Sequence, residues 1–447
     1  MKPEHGFNRR RFLQNSTTLA AAIAVLPTRS PLRAGANEKV VVGLMGAGGR
    51  GSTLAGFFAK RPDVEIAYVC DADSRRLPTA QKVVEQAQGK VPKAVQDFRR
   101  ILEDKHVDVL VNATPDHWHG LGTILACQAG KDVYVEKPLS HNAWEGRKMI
   151  EASRKYERVV QVGTQSRSAP YLREAVEWIR AGKLGDVLLV RVFNMMQQAL
   201  HKSLREQPVP EGFDYDLWCG PAPKLPYDPG RVWLDYWEYS CGAIPGDAIH
   251  QLDLARALIG DPPAPETVSH SGGVFALRDD REIPDTQFVT YEYGKMTLLL
   301  EAALWTPYMK KTPMELRDVD DYPNWAFNAT RIEVVGTRNL MYFGRHGDGW
   351  QVFDADWKQI AGSPAKQSDH EHIENFIQGV KNRKRPNSDV EQGHYSTLLS
   401  HLANISYRMG NRKLQFDAKS ESFPGMPEAN KWLRRTYRAP WVVPEEV

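Results

Sequence analysis

Residues 40–51 read Val40-Val41-Val42-Gly43-Leu44-Met45-Gly46-Ala47-Gly48-Gly49-Arg50-Gly51, an apolar run that breaks into glycines. Six uncharged residues from 40 to 45 suit a parallel strand buried on both faces. The glycines at 46, 48 and 51 then fall in the spacing GxGxxG. In a strand–turn–helix unit each meets a separate steric demand. The first permits the tight turn, the second lets backbone approach a diphosphate, and the third lets the helix pack on the strand. A helix beginning near Gly51 turns its positive end toward that diphosphate.

Outward from this turn, 52–60 is helical in pattern, 64–70 is a second apolar strand, and Asp71 stands 20 residues beyond Gly51. A carboxylate there is placed to accept the adenine-ribose hydroxyls of a dinucleotide. Gly46, Gly48, Gly49, Arg50, Gly51 and Asp71 are therefore expected to bind the cofactor. Asp71 favours NAD, because a carboxylate repels the extra phosphate of NADP, while Arg75 and Arg76 leave NADP open. The alternation continues with strands expected at 94–98, 107–113, 132–135 and 158–163 and helices at 117–129 and 142–156, which makes a doubly wound parallel sheet of Rossmann type. Ligands of such sheets sit beyond the carboxyl ends of the strands. Three segments stand there: 112–119, Glu136-Lys137-Pro138, and Gly163-Thr164-Gln165. Gln165 is placed to hydrogen-bond a nicotinamide or its ribose.

With 447 residues the chain has room for two domains and appendages. The expected division is a leader over 1–36, a dinucleotide domain over 37–165 and a second domain over 166–447. The leader is read from Arg9-Arg10-Arg11-Phe12-Leu13, an apolar stretch over 19–26 and the small residues Ala34-Gly35-Ala36. It is expected to engage the twin-arginine translocation machinery and deliver a folded, cofactor-loaded protein to the periplasm. Asn8 stands where such signals usually carry Ser or Thr. The formal net charge is +3, yet residues 1–36 hold six basic residues and one acidic one, so the remainder is slightly negative. That excludes the basic footprint of a nucleic-acid binder. No apolar run reaches the ~20 residues of a membrane-spanning helix. The four cysteines are widely spaced, and no zinc-type spacing or other metal site is expected.

The second half carries strand-like stretches at 187–195, 287–293, 296–303, 331–336, 339–343 and 350–353, and helices at 370–382 and 392–409. Between them lies an aromatic-rich insertion with Trp218-Cys219-Gly220-Pro221 and Arg231-Val232-Trp233-Leu234-Asp235-Tyr236-Trp237. Aromatic faces interleaved with carboxylates suit sugars, which makes Trp233 and Tyr236 substrate candidates. Arg167 is placed to reach a polyhydroxylated or anionic substrate.

The glycine turn, Ala113-Thr114-Pro115-Asp116-His117-Trp118-His119, Glu136-Lys137-Pro138 and His250-Gln251-Leu252-Asp253 together resemble the glucose–fructose oxidoreductase, inositol dehydrogenase and rhizopine-catabolism (Gfo/Idh/MocA) family. The resemblance implies a Rossmann domain joined to a C-terminal α/β domain with a large, mostly antiparallel sheet. It implies oxidation and reduction of sugars or polyols. It also implies that Lys137 is catalytic, that Glu136 orients it or touches the nicotinamide ribose, that Thr114, Pro115 and His119 wall the cofactor, and that His250 is the acid–base histidine. An aspartate usually stands four residues before that histidine. Here Gly246 holds that position and Asp247 stands three before, so either the turn is bulged or the aspartate's role differs.

Three functions remain open: an oxidoreductase of sugars or polyols with a tightly held cofactor; a nicotinamide-dependent glycoside-cleaving enzyme, hydrolase or lyase, working through transient ring oxidation; and a cofactor-loaded binding protein without turnover. A homo-oligomer is expected.

Overall fold

Short runs rich in Val, Ile and Leu suit strands buried on both faces, and the central strands Val40–Met45, Val109–Asn112 and Asp132–Val135 of the first sheet are of this kind, whereas its edge strand Lys93–Val95 is largely exposed. The computed structural model describes residues 39–447 apart from 203, 204, 318 and 320; the leader expected over 1–36 lies outside the described residues. The strands β1 (Val40–Met45), β2 (Val64–Cys70), β3 (Lys93–Val95), β4 (Val109–Asn112), β5 (Asp132–Val135) and β6 (Val160–Val162) are all parallel, in the order β3-β2-β1-β4-β5-β6. Strand order reverses between β1 and β4, and a crevice opens there at the carboxyl ends.

The second sheet has nine strands: β7 (Val187–Met195), β8 (Thr267–Gly273), β9 (Thr286–Tyr293), β10 (Met296–Ala303), β11 (Ile332–Gly336), β12 (Leu340–Phe343), β13 (Trp350–Phe353), β14 (Gln359–Ser363) and β15 (Leu414–Gln415). Their order is β14-β13-β12-β11-β7-β10-β9-β8-β15, antiparallel except for the parallel pair β7 and β10. On one face Val190, Val192, Leu298, Leu300 and Val334 pack under the helices Pro170–Arg180, Ile249–Leu258 and Val390–Arg408. On the other, Arg191 sits between Glu301 (2.7 Å) and Glu333 (3.0 Å). β8, β14 and β15 were not expected from the sequence. Ser, His and Gly dilute β8, β14 is a largely exposed edge, and β15 is two residues long.

Packing crosses the boundary expected at 165/166. The helix Asp369–Asn382 sends Ile373, Phe376, Ile377 and Val380 into the core that holds Phe58 and Tyr134 of the first sheet's layer. Val390 joins the first domain's core while Leu398 and Leu402, further along the same helix, join the second. The C-terminal helices thus fasten both sheets together. Among the described residues no helix is long and apolar enough to cross a membrane.

Candidate functional site

At the end of β1 the backbone turns at Gly46 with φ +95°, and a Cβ there would lie 2.6 Å from the Ala113 carbonyl oxygen. A Cβ on Gly51 would lie 1.8 Å from the Gly46 oxygen. Both positions exclude side chains, because the glycine turn passes between its own helix and the end of β4. The helix Gly49–Ala59 begins with no side-chain cap and no acidic residue in its first turn, so its leading amides are left for an anion.

The turn is braced from below. Asp71 accepts from the Ala47 amide (2.8 Å) and from the Asp73 amide (2.9 Å), and burial pushes its carboxyl above the ordinary value. The expected ribose acceptor is therefore also a staple of the glycine turn. Arg75 is committed to Asp73 at 2.7 Å. Arg76 reaches toward Gly48, where its Nη1 would sit 3.2 Å from an added Cβ. Across the strand ends, Glu136 accepts from Arg50 Nε (2.8 Å) and from Gln165 Nε2 (3.3 Å), and Arg50 lies 3.5 Å from Asp369. Arg50, Glu136 and Gln165 form one network that locks the turn to the end of β5.

A cleft of about 510 Å³ runs over these strand ends. Gly46, Gly48, Gly49, Arg50, Asp71, Thr114, Pro115, Glu136 and Lys137 line its floor. Its roof is the aromatic insertion, from which Phe213, Tyr215, Trp218, Tyr227, Trp233 and Tyr239 contribute. The roof is stitched down at both ends. Asp214 N donates to Ala72 O (2.9 Å) and Ser74 N to Gly212 O (2.9 Å) beside β2. Trp118 Nε1 donates to Leu217 O (3.1 Å), and Arg438 Nε to Gly220 O (3.1 Å), at the other end.

Lys137 comes from the end of β5 and its ammonium donates to the Gly246 carbonyl at 2.5 Å. Gly246 lies in a π-helical turn, Ile244–Ala248, that runs directly into the helix Ile249–Leu258. The turn is the bulge that the three-residue spacing of Asp247 and His250 left open. Asp247 Oδ1 accepts from Lys311 Nζ (2.9 Å) and Arg345 Nη1 (2.9 Å). With its amide oriented to suit its neighbours, Asn194 donates to Asp247 Oδ2 at 2.8 Å. Burial raises the Asp247 carboxyl, but Arg345 and Lys311 outweigh it and hold the group well below the usual carboxylate range. His250 is pushed well below its ordinary value by burial and by the cations Arg345 and Lys137. Its ring is neutral at pH 7, and no hydrogen bond to it is present among the described residues. The arrangement gathers a cationic donor, a neutral imidazole and a fixed carboxylate around one turn; of it Lys137 and Gly246 line the cleft, while Asp247 and the buried His250, which follow Gly246, are not among its lining residues.

Several expected site residues stand elsewhere. His119 does not face the cleft: its ring lies between the carbonyls of Thr114 (2.8 Å) and Pro138 (2.6 Å) and is buried behind the wall. Arg167 is not open to substrate either. It is buried against Asp253 (2.8 Å) and Asp261 (3.0 Å), because the helix Ile249–Leu258 brings an internal carboxylate that only a cation can balance. Tyr236 is 8% exposed, packs in an aromatic cluster and lies under the Arg231 guanidinium, so of the two aromatic candidates only Trp233 lines the cleft. Asp247 is committed to two cations and is a positioning group rather than a free base. Lys311, Arg345 and Asn194 were missed. They lie in three separate segments of the second domain and carry no motif.

Comparison with known proteins bears on the family and the fold. The oxidoreductase family with an NAD-binding Rossmann fold matches residues 40–164, and its C-terminal alpha/beta domain matches 191–273 and 337–443. Inositol 2-dehydrogenase 4 of Saccharopolyspora erythraea is 31% identical over 265 residues, 59% of this chain and 66% of that protein. Glycosyl hydrolase family 109 protein 2 of a Shewanella species is 32% identical over 156 residues, 30% of this chain and 34% of its own. These matches span less than two thirds of the relatives' own lengths. The solved structure of a levoglucosan dehydrogenase with NADH and levoglucosan superposes with a TM-score of 0.64 at 18% identity, over 85% of this chain and 99% of that one. With both halves matched in order and both sheets in place, the chain belongs to the Gfo/Idh/MocA oxidoreductase family, with an NAD-binding Rossmann domain.

Proposed function

We propose that the protein is an exported NAD-dependent oxidoreductase of a sugar or polyol, and that its dinucleotide stays in the cleft through turnover. The observation that carries the reading is the meeting of Lys137 with the turn bearing Asp247 and His250 at the end of a roofed cleft whose floor is the glycine turn. NAD fits the floor: two glycines admit no Cβ, the helix start is unpaired, and Asp71 disfavours an added phosphate.

Held over Gly46, Gly48 and Asp71, NAD would supply a hydride acceptor for the substrate carbinol carbon. Lys137 polarises the reacting oxygen and stabilises the charge that develops on it. Neutral His250 takes the hydroxyl proton, a role for which an unprotonated imidazole with open ring nitrogens is suited. Asp247, held by Lys311 and Arg345, keeps the turn and its histidine in place and balances the resulting imidazolium. The aromatic roof covers the cleft from the second domain's side.

A second reading draws on relatives named as glycosyl hydrolase family 109 proteins: the same groups acting on a ring carbon would acidify a neighbouring C–H and expel a glycosidic leaving group, with no net redox change. Export bears on both, since a retained cofactor needs no outside pool. It rests on Arg9, Arg10, the apolar stretch and Ala34-Gly35-Ala36. The test is to purify the mature protein, identify the co-purifying dinucleotide, and screen sugars, polyols and aryl glycosides for cofactor absorbance change and leaving-group release. Absorbance change without release supports the oxidoreductase, release without net change supports the cleaving enzyme, and neither with any substrate refutes both. N-terminal sequencing of the extracytoplasmic fraction tests export, with Asn37 expected near the start and an intact Met1 only in the cytoplasm as the refuting result.

A further inference from the structure

Behind the Glu136-Lys137-Pro138 loop, and sharing no lining residue with the dinucleotide cleft, lies a second cavity of about 540 Å³. The helix Val390–Arg408 and the C-terminal segment 431–436 form two of its walls, and the strip 237–241 separates it from the first cleft. Its charged lining is Arg408, Lys431, Arg434 and Arg435 against one carboxylate, Glu238. Arg408 lies between the Trp237 ring (4.1 Å) and the Trp432 ring (4.4 Å). Arg434 is paired with Glu445.

The polar groups of this wall are unmatched in a specific way. Arg435 Nη1 is sealed from solvent and has no hydrogen-bond partner. Glu145, which interacts with it electrostatically, already accepts from Tyr437 Oη (3.0 Å), Asn142 Nδ2 (2.8 Å) and the His141 amide (3.1 Å). His141 Nε2 faces the Trp237 carbonyl at 2.9 Å and must donate to it, which leaves Nδ1 a bare acceptor without a partner. Burial and Arg435 keep that ring neutral. Glu238 Oε2 is a second acceptor left without a donor. Orphaned polar atoms of this kind are costly unless something answers them. The excess of cations in the lining calls for an oxyanion, and the orphaned atoms, closed to water as the wall stands, are reached by hydroxyls only when an occupant displaces part of that wall.

We propose that this cavity is a binding site, distinct from the dinucleotide cleft, for an acidic sugar: a hydroxylated ring bearing a carboxylate or a phosphate ester. Arg435 and Arg408 take the oxyanion, and Glu238 and His141 accept from ring hydroxyls. Trp432, which is 44% exposed, stands at the solvent side of the cavity.

The test titrates the dinucleotide-loaded protein with D-galacturonate, D-glucose 6-phosphate and D-galactose by calorimetry, with tryptophan fluorescence as a second readout. Binding of galacturonate, of glucose 6-phosphate or of both, with none of galactose, is expected, and which acid binds separates carboxylate from phosphate. Arg435→Gln weakens that binding by about tenfold or more, as expected for losing a cationic donor to a buried anion, at unchanged dinucleotide content. Trp432→Phe reduces the fluorescence response. Lys137→Met, in the other cleft, leaves the binding intact. If Arg435→Gln fails to retain its dinucleotide, Trp432→Ala at an exposed position carries the same expectation of weaker binding. Absence of binding by both acids, equal binding of galactose, unchanged affinity in the variants at the second cavity, or loss of binding in Lys137→Met each overturns the proposal.

Discussion

The two ends of the dinucleotide cleft are built by different means. At the glycine end everything is local: Gly46, Gly48, Gly51 and Asp71 lie within 26 residues of one another, Gly46 and Gly51 are demanded by backbone sterics, and Asp71 by a hydrogen bond to a neighbouring amide. At the catalytic end Lys137, Asn194, Asp247, His250, Lys311 and Arg345 come from five stretches of chain spread over both sheets. The first end is a steric device that tolerates no added atom at Gly46 or Gly51. The second is an electrostatic one, in which burial and neighbouring cations together depress His250, while the cations Arg345 and Lys311 outweigh burial at Asp247. The difference implies that the glycine end fails by losing the cofactor, whereas the catalytic end fails by losing rate with the cofactor still in place.

The sharpest test of that contrast is at the catalytic end. Lys137→Met and His250→Asn are each expected to lower turnover by roughly 10²–10⁴-fold, the usual cost of removing an acid–base or polarising group. The dinucleotide content of the purified variants, read by absorbance after denaturation, should not change. Loss of bound dinucleotide in either variant would show that the two ends are not separable.

Arg167→Met is expected to act on neither end. It leaves Asp253 buried beside a lost cation and should destabilise the fold by about 3–5 kcal/mol, seen as a lower denaturation midpoint, while KM for any substrate stays at the wild-type value. A selective rise in KM at unchanged stability would restore Arg167 as a substrate ligand.

Gly51→Ala puts a methyl group against the Gly46 carbonyl, where a Cβ has 1.8 Å. The turn must open, and the protein is expected to purify with less than about a tenth of its dinucleotide, a loss of at least ~1.4 kcal/mol in binding.

Acid should reach the molecule through its histidines. His250 and His346 are depressed by burial and neighbouring cations, His117 is pushed down to about 3 and His372 to about 4 by burial. Because their folded values lie below the unfolded one, the unfolded chain binds more protons once pH falls below about 6.5. Stability is therefore full above that pH and declines as pH drops toward the folded values. A Tm measured at pH 5 should be lower than at pH 7.5, whereas the acid limb of kcat, set by the depressed His250, should lie below pH 6.5. An activity limb at or above the ordinary histidine value would contradict the buried neutral imidazole.

The smallest effect is expected at Asp71. Asp71→Ser removes the repulsion of an added phosphate with Arg76 still nearby, and relative affinity for NADP over NAD should rise severalfold, about 1 kcal/mol. The same change frees the Ala47 amide, so absolute affinity for NAD should fall. Tighter binding of NADP than NAD by the wild type would reverse the cofactor preference.

What the sequence determined alone is whatever depends on neighbours along the chain. The apolar runs of β1, β4 and β5, the glycine spacing, and the bounds of β7, β10 and β13 follow from periodicity and from the sterics of a residue without a side chain. Glu136-Lys137-Pro138 and the segment around His250 were legible because short fixed spacings carry their resemblance. The tertiary structure decided everything that depends on what lies opposite. It turned Arg167 inward to balance Asp253, placed His119 behind the wall, made Asp71 a staple, set Lys311 and Arg345 on Asp247, and joined the helix Asp369–Asn382 to the first domain's core. The reason is physical. An ionisable side chain takes its role from the charges and the solvent that folding brings to it, and those arrive from segments whose separation in sequence leaves no local trace.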